Sequence, residues 1–194
     1  IPLKYSFKGI FDELSVKMMK GSQVIEASKE ITYPLSPIIS DIFITTENNQ
    51  NITSKEDYVK GSVFLDSDMD AFDQSNLSMR IKGRGNSTWD FPKKPYRIKF
   101  DERQSLLGMA PAKDYVLLAE YFDKSLIRNY LAQYFSTLLN FDYTLETRFV
   151  NLFLNGQYNG IYLLTEQVEV DKNRLNIDES SDVNGGFLIE METN

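Results

Sequence analysis

The chain has 194 residues, 42% hydrophobic and 13% aromatic, enough to bury one sizeable core. Its 21 basic and 28 acidic residues give a formal charge of −7, the wrong sign for a surface that coats nucleic acid. With no cysteine and no histidine it has no disulfide, no thiolate metal site and no Ser–His or Cys–His hydrolase centre, so a bound metal would be a hard cation such as magnesium on oxygen ligands.

Residues 1–37 read apart from the rest, as an N-terminal extension or the remnant of an adjoining domain. Leu14, Val16 and Met18 alternate with polar residues, Gly21-Ser22 makes a turn, and Val24 and Glu26 continue with strand period. Pro34 and Pro37 then mark a boundary, with a second domain over 38–194. The chain opens on Ile1 and reads as a processed or excised form. No apolar run is long enough for a membrane span.

Residues 39–46 and 58–65 read as strands around a polar turn at 47–50. The acidic tract 66–76 resembles a calcium loop only in part; it lacks the central glycine and closing glutamate, and reads as a solvated turn. Strands at 77–83 and 95–100 flank a loop, and 115–119 is a short buried run. One helix is marked by Leu126, Ile127, Tyr130, Leu131, Tyr134, Phe135, Leu138 and Leu139, which form a wide apolar stripe. Asp123 or Ser125 can cap it. Residues 148–154 and 157–165 form a hairpin around Asn155-Gly156, a pair suited to a type I′ turn. A last strand is expected at 187–191. The expected fold class is α+β, an antiparallel sheet with one main packed helix.

The stretch 83–100, GRGNSTWDFPKKPYRIKF, concentrates cations on an acidic chain. Gly83 and Gly85 let the backbone turn sharply and present N–H groups to a phosphate, and equally serve a plain tight turn. Arg97 and Lys99 share one strand face. Arg84, Lys93, Lys94, Arg97 and Lys99 are expected to converge on one pocket shaped for a triphosphate. Trp89 can cover a nucleotide ring or anchor the loop, and the anchor is favoured. Arg128, at the helix start, pairs with Asp123 or reaches a ligand. Glu166 and Glu190 are strand acids that either pair with a cation or face a base.

GRGNSTW (83–89), PKKPYRIKF (92–100), YVLLAEYFDKSLIRN (115–129), FVNLFLNGQYNGIYLLTEQVEVDKNR (149–174) and GGFLIE (185–190) together resemble the CotH kinase-like family, named for a spore-coat protein. The resemblance runs from about residue 39 to the end. It implies the N-terminal portion of an atypical protein-kinase-like fold that uses ATP and magnesium to phosphorylate serines of surface, coat or secreted proteins. It implies an extracytoplasmic or cell-surface setting. By the same resemblance Arg84, Gly85, Asn86 and Ser87 form a phosphate-facing loop, and one of Lys94, Arg97 and Lys99 holds phosphate. Glu120 or Asp123 pairs with that cation, Arg128 joins the site, and the segment around Glu166 lines the adenine.

The family's later Asn-x-Asp and Trp-Asp-x-Asp segments have no counterpart in these residues. No catalytic residue is therefore assigned, and this portion alone is expected to be inactive. Two alternatives stand beside the kinase reading. One is a non-catalytic surface module that holds an acidic glycan or protein. The other is a pseudokinase that binds nucleotide.

Overall fold

The computed structural model describes residues 13–20, 23–30, 39–67, 70–139, 141, 143–177, 186, 188 and 189. Of the expected strand at 187–191 only Leu188 and Ile189 are described, and neither is in a strand; Glu190 and part of the acidic tract lie outside the described residues. The chain divides into two compact units, Ile1–Ile38 and Ile39–Asn194. In the first, β1 (Glu13–Lys20) and β2 (Gln23–Glu30) form an antiparallel hairpin, closed by the pair Lys20↔Gln23.

The second unit is a closed barrel. Its strands are β3 (Ser40–Thr46), β4 (Val59–Asp66), β5 (Gln74–Gly83), β6 (Tyr96–Gln104), β7 (Ala112–Leu118), β8 (Thr147–Leu154) and β9 (Gln157–Glu166). They run in the order β3-β4-β5-β6-β7-β9-β8, and β8 returns to β3. The seven strands alternate in direction around the ring. An odd number cannot alternate all the way round, so one neighbouring pair must be parallel. That pair is β3–β8, from Ser40↔Val150 to Ile44↔Leu154. The sheet is thus mixed and closed, where the sequence alone suggests an antiparallel layer. Closure removes the two free edges that an open sheet would expose.

Period-two alternation fills the barrel. Ile42 and Ile44 of β3, Ile81 of β5, Ile98 and Phe100 of β6 and Val150 and Leu152 of β8 are all buried. Tyr115 and Tyr162 also lie inside and keep their hydroxyls satisfied. Tyr115 donates to the Gln104 carbonyl at 2.7 Å, and Tyr162 to the Lys94 carbonyl at 2.9 Å. Outside, a row of rings runs Phe64–Phe43–Phe153–Tyr158 across β4, β3, β8 and β9. Phe43 stacks on Phe153 at 4.6 Å, which supports the closing pair laterally.

The helix α1 (Arg128–Leu138) is where its period placed it, but it is not packed as expected. None of its residues is buried, and Tyr134, Phe135 and Leu138 are each at least half exposed. Tyr130 reaches Phe149 of β8, with ring centroids 5.4 Å apart. The apolar stripe is real; the described part of the chain does not cover it.

The β8–β9 turn also latches the barrel. Asn155 and Gly156 have φ of 50° and 77°, as a type I′ turn requires. The Asn155 carboxamide oxygen accepts from the Thr46 amide at 2.9 Å and the Thr46 hydroxyl at 3.0 Å, at the end of β3. Thr46 is buried, so losing this acceptor leaves a dry donor unsatisfied. Asn155→Ala is expected to lower unfolding stability by about 2 kcal/mol, measured by urea denaturation. Asn155→Gly, which keeps the turn but not the acceptor, should fall between it and the wild type.

Candidate functional site

The β5–β6 connection, residues 84–95, carries the glycine-rich stretch. It folds onto itself by Arg84 N–H to the Pro95 carbonyl at 3.2 Å and Trp89 N–H to the Asn86 carbonyl at 3.2 Å. Gly85 has φ of 86°, and a Cβ there would collide with the Thr88 hydroxyl. A Cβ on Gly83 would run into the Trp89 ring, which also meets Tyr96 edge-on at 6.3 Å. Trp89 therefore anchors the loop, as favoured above. Lys94 donates to the Trp89 carbonyl at 2.5 Å and lies 5.1 Å over its ring, so it pins the same loop.

A cleft of about 250 Å³ opens between this loop and the β7–α1 connection. Arg84, Lys93 and Arg128 line it together with Glu120, Thr88 and the rings of Phe91, Tyr121 and Phe122. Phe91 stacks on Tyr121 at 5.4 Å and meets Phe122 edge-on at 4.2 Å. Lys93 donates to the Ile161 carbonyl at 2.5 Å and lies 4.4 Å over the Tyr162 ring. Burial lowers its pKa from the ordinary lysine value, and the charge of Glu120 offsets part of that. Glu120 sits at φ 51°, a conformation that costs a non-glycine residue energy, and accepts from the Asn129 amide at 2.8 Å.

Asp123 organises the start of α1. The cap position Ile127 has no polar side chain, and the Asp123 carboxylate replaces it. It accepts from the Ser125 hydroxyl at 2.6 Å and the Arg128 amide at 2.8 Å. The Ser125 hydrogen bond, then that amide, holds its pKa down at about 2.

The expected convergence of cations does not occur. Arg84 and Arg128 reach the cleft, while Arg97 and Lys99 stand on the outer face of β6. There they pair with Asp114 of β7 at 2.7 and 3.6 Å. Asn86 and Ser87 are exposed and do not line the cleft. Glu166 is buried against the guanidinium of Arg174 and accepts the Glu146 amide at 2.9 Å. A charge left there without its partner costs about 3–5 kcal/mol, which commits Glu166 to holding the following segment on the barrel. The resemblance names Lys94 and not Lys93 as a phosphate-holding candidate, yet of the two only Lys93 lines the cleft. In a Pro-Lys-Lys-Pro run, only the path of the loop decides which lysine points into the cleft. Glu120 belongs to the connection before α1, not to the helix.

Among the described residues no three acidic side chains gather to hold a metal. Glu120 bonds Asn129 and Asp123 caps the helix, so these residues do not by themselves make a magnesium site.

Gly83→Ala is expected to displace Trp89. As the only tryptophan it gives a clean signal: emission should shift to the red, with a loss of about 1–3 kcal/mol. Asp123 has a depressed folded-state pKa, so its contribution is present above about pH 4 and is lost as pH falls toward 2. The stability gap between wild type and Asp123→Asn, from urea midpoints, should narrow over that interval.

Residues 81–192 match the family model described as CotH kinase protein. The chain is also similar to the inner spore coat protein H of Bacillus subtilis (strain 168), 38% identical over 97 residues. That alignment takes in 50% of this chain and 25% of the relative, so the chain spans about a quarter of that protein's length. The loop, the cleft, β6 to β9 and α1 all fall inside the matched stretch, and the chain belongs to the CotH kinase protein family.

Proposed function

We propose that this chain is the ATP-binding portion of an atypical protein serine kinase that acts on coat, surface or secreted proteins. The observation that carries the reading is the cleft lined by Arg84, Lys93 and Arg128, the last also paired with Asp123 at 3.5 Å, beside Glu120 and a cluster of aromatic rings. Its size suits phosphate groups, not a whole nucleotide. The tight turn at Gly85 brings Arg84 and Thr88, on either side of it, to the cleft wall.

Lys93 is the best placed phosphate ligand. Its ammonium is partly desolvated, and among the described residues no carboxylate lies within 4.0 Å of it. An anion brought there meets a cation already stripped of some of its water, which strengthens the attraction. The charge of Glu120 favours the charged form of the lysine against its burial. The rings of Phe91 and Tyr121 offer a face for a base or ribose. Magnesium would arrive on the nucleotide's own phosphates. In this reading the chain binds and orients the phosphate tail, and the groups that move protons belong to another part of the protein.

Membership of the family and similarity to an inner spore coat protein support a protein substrate and a surface-associated setting. No helix among the described residues is long and apolar enough to cross a membrane.

Titration calorimetry with ATP and magnesium tests the reading. Saturable binding is expected, weakened about tenfold or more by Lys93→Ala or Arg84→Ala and unchanged by Lys99→Ala. Absence of binding, or binding indifferent to Lys93 and Arg84, would overturn it.

A further inference from the structure

A second group of cations stands apart from the cleft, on the outer face of β4, β5 and β6. The register sets Lys60 opposite Arg80 and Arg80 opposite Lys99, and in the next row Lys82 opposite Arg97. Like charges directly opposite one another destabilise a sheet. Three such contacts adjoin here on a chain whose net charge is −7.

Asp114 relieves only part of this, because it is spent on Arg97 and Lys99. Lys60, Arg80 and Lys82 have no carboxylate within 4.0 Å among the described residues. Tyr58 is their neighbour, with its ring 5.0 Å from the Lys82 ammonium and 5.8 Å from the Arg80 guanidinium carbon. The Arg80 Nε is buried and makes no hydrogen bond. An orphaned buried donor carries a cost that an incoming acceptor removes.

Lys60 and Arg80 also border an open groove of about 720 Å³. Its floor is low because Gly61, Ser62 and Ser78 contribute almost no side chain. Gly61 must stay bare, since a Cβ would run into the Thr45 carbonyl. Glu47, beyond the end of β3, and Asp101, on β6, close the groove at opposite sides of the strand order.

We propose that this face docks a short acidic segment of a partner protein, in extended form, with two or three carboxylates set against Lys60, Arg80 and Lys82. The low floor admits a main chain, and the Ser62 hydroxyl offers a hydrogen bond along it, while the Ser78 hydroxyl donates to the Asp101 carboxylate at 2.5 Å. Glu47 and Asp101 limit the length of the anionic run. A uniformly charged polymer such as RNA or a sulfated glycan would meet both acids and then the acidic remainder of the surface. A few carboxylates flanked by neutral residues meet neither. Tyr58, Lys60 and Arg80 precede the stretch matched by the family model, while Lys82 and Asp101 fall inside it. The inference does not depend on nucleotide binding at Lys93.

The test is fluorescence anisotropy of a labelled Ser-Gly peptide that carries three consecutive glutamates, titrated with the whole chain. Saturable binding is expected, weakened about tenfold by Lys60→Glu or Lys82→Glu and unaffected by Lys93→Ala. Both lysine variants change outward-facing side chains, and circular dichroism confirms that they fold. Binding indifferent to Lys60 and Lys82 would overturn the proposal. So would absence of binding, or tighter binding of heparin or single-stranded RNA through the same two lysines.

Discussion

A ring of seven strands can close only if two neighbours run the same way, and this barrel meets that demand at β3 and β8. Once the ring is shut, each strand has one face for the interior and one for the outside, with no edge between. The interior takes aliphatic and aromatic side chains. The cations of β4, β5 and β6 must therefore stand outside, whatever that costs in mutual repulsion. Only residues beyond the strand ends, such as Arg84, Lys93 and Arg128, are free to turn over the rim. The separation of the basic residues into two groups follows from closure, not from their spacing in the chain.

Within that frame a few acids decide what each cation can do. Asp114 occupies Arg97 and Lys99, and Asp123 is turned to the start of α1. Glu166 is matched to Arg174 in the interior. Burial and its acidic neighbours Asp114 and Asp171 raise the pKa of Glu169, which stands near the same β6–β7 face. Without a carboxylate within 4.0 Å among the described residues are Lys93 at the rim, which donates to the Ile161 carbonyl and is tempered by Glu120, and the Lys60–Arg80–Lys82 group on the wall. The two sites differ in kind. The first is a cleft with aromatic walls and suits a compact, highly charged group. The second is an open groove and suits an extended chain.

Local structure was largely legible from the residues. Strand character was readable at β3 to β6, β8 and β9, while β7 read only as a short buried run; Asn155-Gly156 gave the tightest hairpin, and the Leu126-to-Leu139 pattern gave α1 to within about two residues. Asp123 was a readable cap. Closure was not readable, because it joins β3 to β8 across more than a hundred residues and no local pattern encodes a partner so distant. For the same reason Arg97 and Lys99 could not be told apart from cleft residues. Their alternation shows that they share a face, but not that Asp114 of the next strand waits there. Lys93 and Lys94 are identical neighbours whose roles differ through the path of a single turn. The deep burial of Glu166 depends on Arg174, eight residues further along a segment with no regular period.

The bare apolar side of α1 has a bearing on how copies of this chain behave in bulk solution. Among the described residues Tyr134, Phe135 and Leu138, with Leu139 just past the helix end, present a sticky surface, while the formal charge of −7 holds molecules apart. Added electrolyte shortens the range of that repulsion to about 10 Å at 0.1 M, yet leaves the greasy contact intact. Colloidal stability is therefore greatest in dilute buffer well above the isoelectric point. Concentrating the material in brine, or acidifying it toward neutrality of charge, drives the molecules together through that one side.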